Sequence, residues 1–304
     1  MSRFYEGDVD HPPLPDGDTL VPGYVVLGHL HQSNNYDVYD VYSEERACRC
    51  IAKTPRQDRL GREKTREALL REGGLLEGLT HPHLARLYEK IEGPTPVLIL
   101  ETLTGETLAH LIDTGYRRLP VKEISHLGLH LCSAIHYLHG RGILHLDLKP
   151  SNIVSERGLA KILDLSIAHP PGPTRKGAGT TQYMAPEQVR GGEVDASTDV
   201  WGIGAVLFEA ATTEPPFNAE FEETGDEEGP DNPTDGTDEW TSTSGTGTYT
   251  DLESYEQLTR RADPVRAHRR VPAAFGEIVA RCLDPNPEGR PTVAELTGAL
   301  RILV

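Results

Sequence analysis

Three side chains able to do chemistry stand close together in HLDLKPSN, the stretch from His145 to Asn152: Asp147, Lys149 and Asn152. A fourth, Asp164, follows the asparagine by twelve residues inside ILDLS. Carboxylates and a side-chain carbonyl are hard oxygen donors. A carboxylate near a hydroxyl can take its proton, with an ammonium close by to offset the charge that forms. Upstream, Lys53 in CIAK precedes Glu72 by nineteen residues, so a second acid and base are available at a distance. Taken singly, Asp147, Asn152 and Asp164 read as loop-capping residues and Lys53 as a solvated strand lysine. Only their joint spacing separates them from that reading.

The elements that must position these groups change character once along the chain. Residues 24–30, 36–42 and 47–54 are β-rich runs, with Ser33-Asn34-Asn35 and Ser43-Glu44-Glu45 as hairpin turns. Residues 62–79 have helical periodicity weakened by Gly73-Gly74, and 97–100 read as another strand. Residues 121–139 form an amphipathic helix with Ile124, Leu127, Leu131, Ile135 and Leu138 on one face. Residues 199–212 form a strongly apolar helix, and 274–283 and 292–303 close the chain as helices. The expectation is an α+β fold of two lobes, a small antiparallel β-rich lobe with one helix and a larger helical lobe, with a cleft between them.

Charge marks one boundary inside this plan. The 304 residues carry a formal charge of −17, and the stretch from Glu220 to Glu253 holds twelve acidic residues with no lysine or arginine. That stretch is rich in Gly, Pro, Ser and Thr, so residues 219–253 are expected to be a disordered insertion and residues 1–22 a flexible tail. The insertion reads most simply as a solvated linker. A docking or autophosphorylation region is the sharper alternative, since seven threonines lie from Thr234 to Thr250. The acidic balance argues against nucleic-acid binding. No apolar run approaches the ~20 residues that span a bilayer, and the N-terminus lacks the apolar core of a secretory signal. Four cysteines are too few for a disulfide scaffold. A cytoplasmic location is the expectation.

The ordered motifs resemble those of the protein-kinase family, in its bacterial Hanks-type serine/threonine branch. HLDLKPSN stands for the family's catalytic loop, ILDLS for its magnesium loop, and Ala185-Pro186-Glu187 for its APE motif inside GTTQYMAPE. DVWGIG (199–204) looks like the buried central helix, and Arg290 like the arginine that pairs with Glu187. Lys53 looks like the strand lysine and Glu72 like its helix glutamate. Leu98 to Glu101 looks like the strand entering the adenine hinge. The resemblance implies a two-lobed kinase fold, with residues 23–103 as N-lobe and 104–304 as C-lobe. It implies ATP and Mg²⁺ as cofactors and Ser/Thr hydroxyls of proteins as substrates. Lys53, held by Glu72, would meet the α/β-phosphates; Asn152 and Asp164 would hold Mg²⁺; Asp147 would be the base and Lys149 would neutralise the γ-phosphate. Leu30, Val38, Ile51, Glu101 and Leu103 would line the nucleotide site. Thr180 would face the substrate, and His145, Glu187, Asp199 and Arg290 would hold the frame. Relatives of this kind often carry a transmembrane helix and a sensor beyond the kinase domain. This chain stops soon after its last helix, so its input is expected through a partner, the tail or the insertion.

Departures from the family pattern are equally specific. No glycine lies between Gly28 and Gly61, so the phosphate-covering loop is LGHLHQSNNYDVY, in which Asn34-Asn35 are expected to supply a positive-φ turn. Ile51 replaces an alanine and narrows the adenine pocket. Leu146 replaces the arginine that grips a phosphorylated activation loop. Leu165 and Ser166 replace phenylalanine and glycine after Asp164. These changes motivate an alternative, a pseudokinase acting as a nucleotide-binding scaffold. A small-molecule kinase of the aminoglycoside-phosphotransferase kind is disfavoured by GTTQYMAPE, DVWGIG and Arg290. His126 and His130 are an i,i+4 pair without an evident third metal ligand, and read as a polar helix face. Cys48 and Cys50 lie on the strand face opposite Arg49, Ile51 and Lys53 and read as small hydrophobes.

Overall fold

The alternating runs at the start of the chain pair into one antiparallel sheet in the computed structural model, which describes residues 12–114, 118–218 and 255–304. The strands are β1 (Thr19–Val21), β2 (Tyr24–Gln32), β3 (Tyr36–Ser43), β4 (Cys48–Pro55), β5 (Leu87–Ile91) and β6 (Val97–Glu101). Their spatial order is β1-β2-β3-β4-β6-β5. The two-residue period sorts the side chains onto two faces. Tyr39, Val41, Cys50, Ala52, Val97 and Ile99 bury themselves with Tyr24 and Val26 in a core of their own. Val38 stands opposite Lys53, Lys53 opposite Leu98, and Ile51 opposite Leu100, so these share the other face. Cys50 is buried and Cys48 exposed, and all four cysteines are free thiols.

Between β4 and β5 runs α1 (Glu63–Glu77), which passes unbroken through the glycine pair expected to weaken it. Gly73 is there for space. A Cβ would lie 2.6 Å from Leu98 Cδ2 and 2.8 Å from Lys90 Cδ, so its absence lets the helix sit close on the sheet. Leu69 and Leu76 of α1 join the larger core, which continues into the helical lobe.

That lobe contains β7 (Glu106–Thr107), α2 (Leu108–Thr114), α3 (Val121–His139), β8 (Ile153–Glu156), β9 (Leu159–Ile162), β10 (Gly172–Pro173), α4 (Pro186–Arg190), β11 (Glu193–Val194), α5 (Ala196–Thr212), α6 (Glu256–Thr259), α7 (Val265–His268), α8 (Ala273–Cys282) and α9 (Val293–Arg301). Strands β7, β8 and β9 form a small sheet under the hinge, and β10 pairs with β11. Helix α5 is buried on nearly all sides, as its unbroken apolar sequence requires, and Asp195 caps its start by accepting from the Ser197 N–H.

The expected tail is shorter than the charge pattern indicates. Residues 19–21 pair with β2, and Leu14 and Leu20 cover the small core of the sheet. The Leu14 N–H donates to the Tyr39 hydroxyl at 3.1 Å. Three-residue edge strands carry too little periodicity to announce themselves, and pairing along the edge of β2 holds this one in place. Residues 1–11 of the tail and the acidic insertion lie outside the described residues. Among the described residues no helix is long and apolar enough to cross a membrane.

Candidate active site

Strand β4 and helix α1 bring Lys53 and Glu72 together under the sheet. The Lys53 ammonium is 2.8 Å from Glu72 Oε2 and 3.2 Å from Asp164 Oδ1, across 111 residues of chain. Glu72 is 2 % exposed and Lys53 9 %, so one cation serves a buried carboxylate and the half-buried Asp164. Burial works against the charged lysine, yet the two carboxylates override it and hold Lys53 protonated well above the ordinary lysine range. Burial also acts on both acids. For Asp164 the Lys53 ammonium and the Ser166 N–H, which donates at 2.8 Å, win and bring it down to about 2. For Glu72 burial wins, and the carboxyl rises to about 7.

Seventeen residues before Asp164, the loop after α3 presents Asp147. Its Oδ1 accepts from the Thr180 hydroxyl at 2.8 Å and the Thr180 N–H at 3.1 Å. Its Oδ2 faces Lys149 Nζ at 3.0 Å and accepts from Asn152 Nδ2 at 3.1 Å. Lys149 also donates to Thr180 Oγ1 at 2.6 Å. A carboxylate receiving a hydroxyl on one oxygen, with an ammonium beside its other oxygen and donating to the hydroxyl itself, can orient an alcohol and offset the charge that appears when its proton leaves. Asn152 donates both ways to Asp147 and leaves its side-chain carbonyl unbonded among the described residues.

The loop is held from below by Asp199 of α5, itself 1 % exposed. Its carboxylate accepts from the backbone N–H groups of His145 at 2.9 Å and Leu146 at 2.8 Å, and meets His139 Nε2 at 2.7 Å. Leu146 adopts φ of 67°, a left-handed conformation costly for a branched side chain, so these bonds fix a strained turn. Its side chain packs with Leu144, Val194 and Ile167. The Leu146 carbonyl accepts from Gln188 Nε2, which also donates to Ala178 O. His145 is buried, with Nδ1 accepting from the Asp147 N–H, and burial lowers its affinity for a proton. Arg290 grips Glu187 with two bonds of 2.7 and 2.9 Å, and Thr198 adds a third to Glu187.

The expected nucleotide-lining residues divide. Val38 and Ile51 share the face of Lys53, and Leu103 is half-buried just past β6. Leu30 is 56 % exposed, at an irregular point of the β2–β3 register. The Glu101 side chain turns toward Lys161 and the Arg86 N–H. Neither Asn34 nor Asn35 has positive φ, contrary to the expected turn. Ser33 closes the hairpin instead, its N–H and hydroxyl donating to Tyr36 O while its oxygen accepts from the Tyr36 N–H. His130 stacks on His83 with ring centroids 4.3 Å apart and accepts from the Ala160 N–H, and burial drops it to about 4. Sequence reasoning missed Tyr36, Gln188, His139 and Thr198. Each acts on a residue distant in sequence, and no local pattern marks any of them.

Comparison with known proteins gives the same picture. Residues 24–299 match the protein kinase domain family. The chain is 31 % identical over 247 residues to serine/threonine-protein kinase PknB of Mycolicibacterium smegmatis, covering 76 % of this chain and 35 % of that protein. It is 32 % identical over 195 residues to a probable serine/threonine-protein kinase of Streptomyces coelicolor, covering 60 % and 29 %. It is 33 % identical over 207 residues to serine/threonine-protein kinase ULK3 of Rattus norvegicus, covering 64 % and 43 %. The chain thus spans about a third of the length of the PknB protein it matches. With the motifs in order, the two lobes assembled and the match running nearly end to end, this chain belongs to the protein kinase family.

Proposed function

We propose that the protein is a serine/threonine protein kinase that transfers the γ-phosphoryl group of ATP to Ser or Thr hydroxyls of protein substrates. The observation that carries this reading is the assembled pair of carboxylates on Lys53, with Asp164 reaching it from the other lobe at 3.2 Å. Protein kinases use ATP and Mg²⁺, which when bound supply the phosphoryl group and the cation that neutralises its oxygens.

The residues present fit that group. The carbonyl of Asn152 and the strongly acidic carboxylate of Asp164 are hard oxygen donors of the kind Mg²⁺ takes. Lys53, kept charged by Glu72, supplies a fixed ammonium for phosphate oxygens. Val38, Ile51 and Leu103, with Leu30 and the Glu101 backbone, form the wall for the base. Asp147 accepts the proton of the incoming hydroxyl, in the place where it now accepts that of Thr180. Lys149 neutralises the charge developing beside it. Asp199, His145, Glu187 and Arg290 keep the loop and its neighbour α4 in register. Cytoplasmic action belongs to the same proposal, as does a regulatory partner at the acidic stretch 219–253, the latter supported by its twelve acidic residues without a lysine or arginine.

The test is transfer of label from ATP with Mg²⁺ to the protein itself and to a generic basic protein, for the wild type and Asp147→Asn. Label from the wild type alone supports the reading. No label, with ATP still raising the melting temperature, moves it to a nucleotide-binding scaffold.

A further inference from the structure

The hairpin between β2 and β3 has no glycine, yet it does not stand away from the site. Tyr36 is the first residue of β3, and its place on the sheet, two before Val38, puts it on the face of Lys53. The Lys53 ammonium lies 5.2 Å from the centroid of the Tyr36 ring, within the range of a cation–π contact. The Tyr36 hydroxyl donates to the carbonyl of Thr65 at 3.0 Å. Thr65 is buried in the first turn of α1, and Glu72 lies seven residues on, two turns along the same helix face. One side chain therefore touches both partners' supports, the ammonium itself and the helix that carries its carboxylate. Burial raises the phenol above its ordinary range, so the hydroxyl remains a donor at any working pH.

We propose that Tyr36 is a positioning residue of the phosphate-transfer site, closing the Lys53–Glu72 pair by covering the ammonium with its ring and tying the hairpin to α1 with its hydroxyl. The inference rests on the kinase reading above and deepens it. Where a glycine hairpin would act through backbone N–H groups, this one acts through a side chain on the lysine and the helix. A surface ring packed for stability alone would have no reason to contact Lys53 or to donate to the helix face of Glu72.

The test compares the wild type with Tyr36→Gly and Tyr36→Phe, reading kcat, the KM for ATP, the melting temperature, and the acylation rate of Lys53 by a water-soluble succinimidyl ester, located by peptide mass spectrometry. Loss of the ring contact and the hydrogen bond in Tyr36→Gly is expected to lower kcat about tenfold, with a smaller change in KM. Lys53 acylation is expected to rise several-fold, roughly in the same proportion. Tyr36→Phe keeps the ring, so it is expected to restore slow acylation and to recover kcat to within about threefold of wild type. Should Tyr36→Gly melt too low to assay, the Phe variant and Lys53 acylation at reduced temperature carry the test. A kcat in Tyr36→Gly equal to or above wild type, with Lys53 acylation unchanged, overturns the proposal and makes the ring an obstruction. The kinase reading fails separately, when the wild type transfers no more label than Asp147→Asn. In that case the acylation rates still decide whether Tyr36 covers Lys53.

Discussion

The loop that carries Asp147 and the β2–β3 hairpin flank the proposed site and are built on opposite principles. The loop keeps the polar groups of the family pattern except the arginine that Leu146 replaces, and is fixed by backbone bonds to one buried carboxylate, Asp199, which holds Leu146 in a left-handed turn. The hairpin has lost its glycines and is fixed by side chains. Ser33 closes the turn, Asp37 accepts from Gln32 at 2.9 Å and meets His29 Nε2 at 3.0 Å, and Tyr36 reaches Lys53 and α1. Atoms that must be placed against a reacting hydroxyl tolerate little change, because a displacement of about 1 Å can cost about a hundredfold in rate. A covering element can be rebuilt so long as something else secures the groups it covers.

The strongest way to break that contrast is at the loop's own chemistry. Asp147→Asn is expected to lower kcat by about 10³-fold, while ATP still raises the melting temperature, measured by label transfer and thermal shift. A variant retaining more than a tenth of the activity would remove Asp147 from its role. Next comes the support beneath. Asp199→Asn leaves a buried amide where a carboxylate took three hydrogen bonds, and should cost about 3 kcal/mol in urea unfolding. A loss under about 1 kcal/mol would mean that the turn is secured elsewhere.

On the hairpin side the Lys53–Glu72 pair gives a pH signature. Glu72 rises from 4.5 to about 7, so below that pH it takes a proton and its attraction for Lys53 weakens. The rate of wild type should therefore fall as pH drops through about 7, and Glu72→Gln, slower by about tenfold at high pH, should lack this limb. Stability runs the other way. A carboxyl raised on folding contributes fully below its unfolded value near 4.5, and that contribution is lost as pH rises through about 7. The melting-temperature difference between wild type and Glu72→Gln, without nucleotide, should shrink across that window. An unchanged difference would show that Glu72 does not titrate there. The smallest effect is expected at Gln32→Ala, which removes one hydrogen-bonding partner of the buried Asp37 and should cost about 1 kcal/mol. A cost like that of Asp199→Asn would erase the contrast between the two regions.

Much of the fold was legible from period alone. Helix α3 has the bounds read from its apolar face, and β2, β3, β4, β6, α8 and α9 lie within three residues of their expected limits. Among the segments missed, β1, α2, β5 and the β8–β9 hairpin are short or owe their form to neighbours. Strand β5 exists because β6 offers it an edge, and the hairpin because Glu156 accepts from the Thr104 and Gly105 N–H groups of the hinge. The expected Asn turn failed for a similar reason, since Ser33 and Tyr36 settle the hairpin through hydrogen bonds that asparagine propensity does not weigh.

By itself the sequence determined the chemical inventory: Asp147, Lys149 and Asn152 within six residues, and Asp164 twelve later. Covalent spacing of a few residues dictates which groups share a loop, and no packing can separate them. Tertiary structure alone decided which groups distant in sequence meet. It brought Lys53 to Asp164, set Gln188 under Leu146, and laid the Tyr36 ring against the Lys53 ammonium. Contacts of that range depend on how helix, sheet and loop are stacked by the burial of apolar surface, a property of the whole chain that no local pattern encodes.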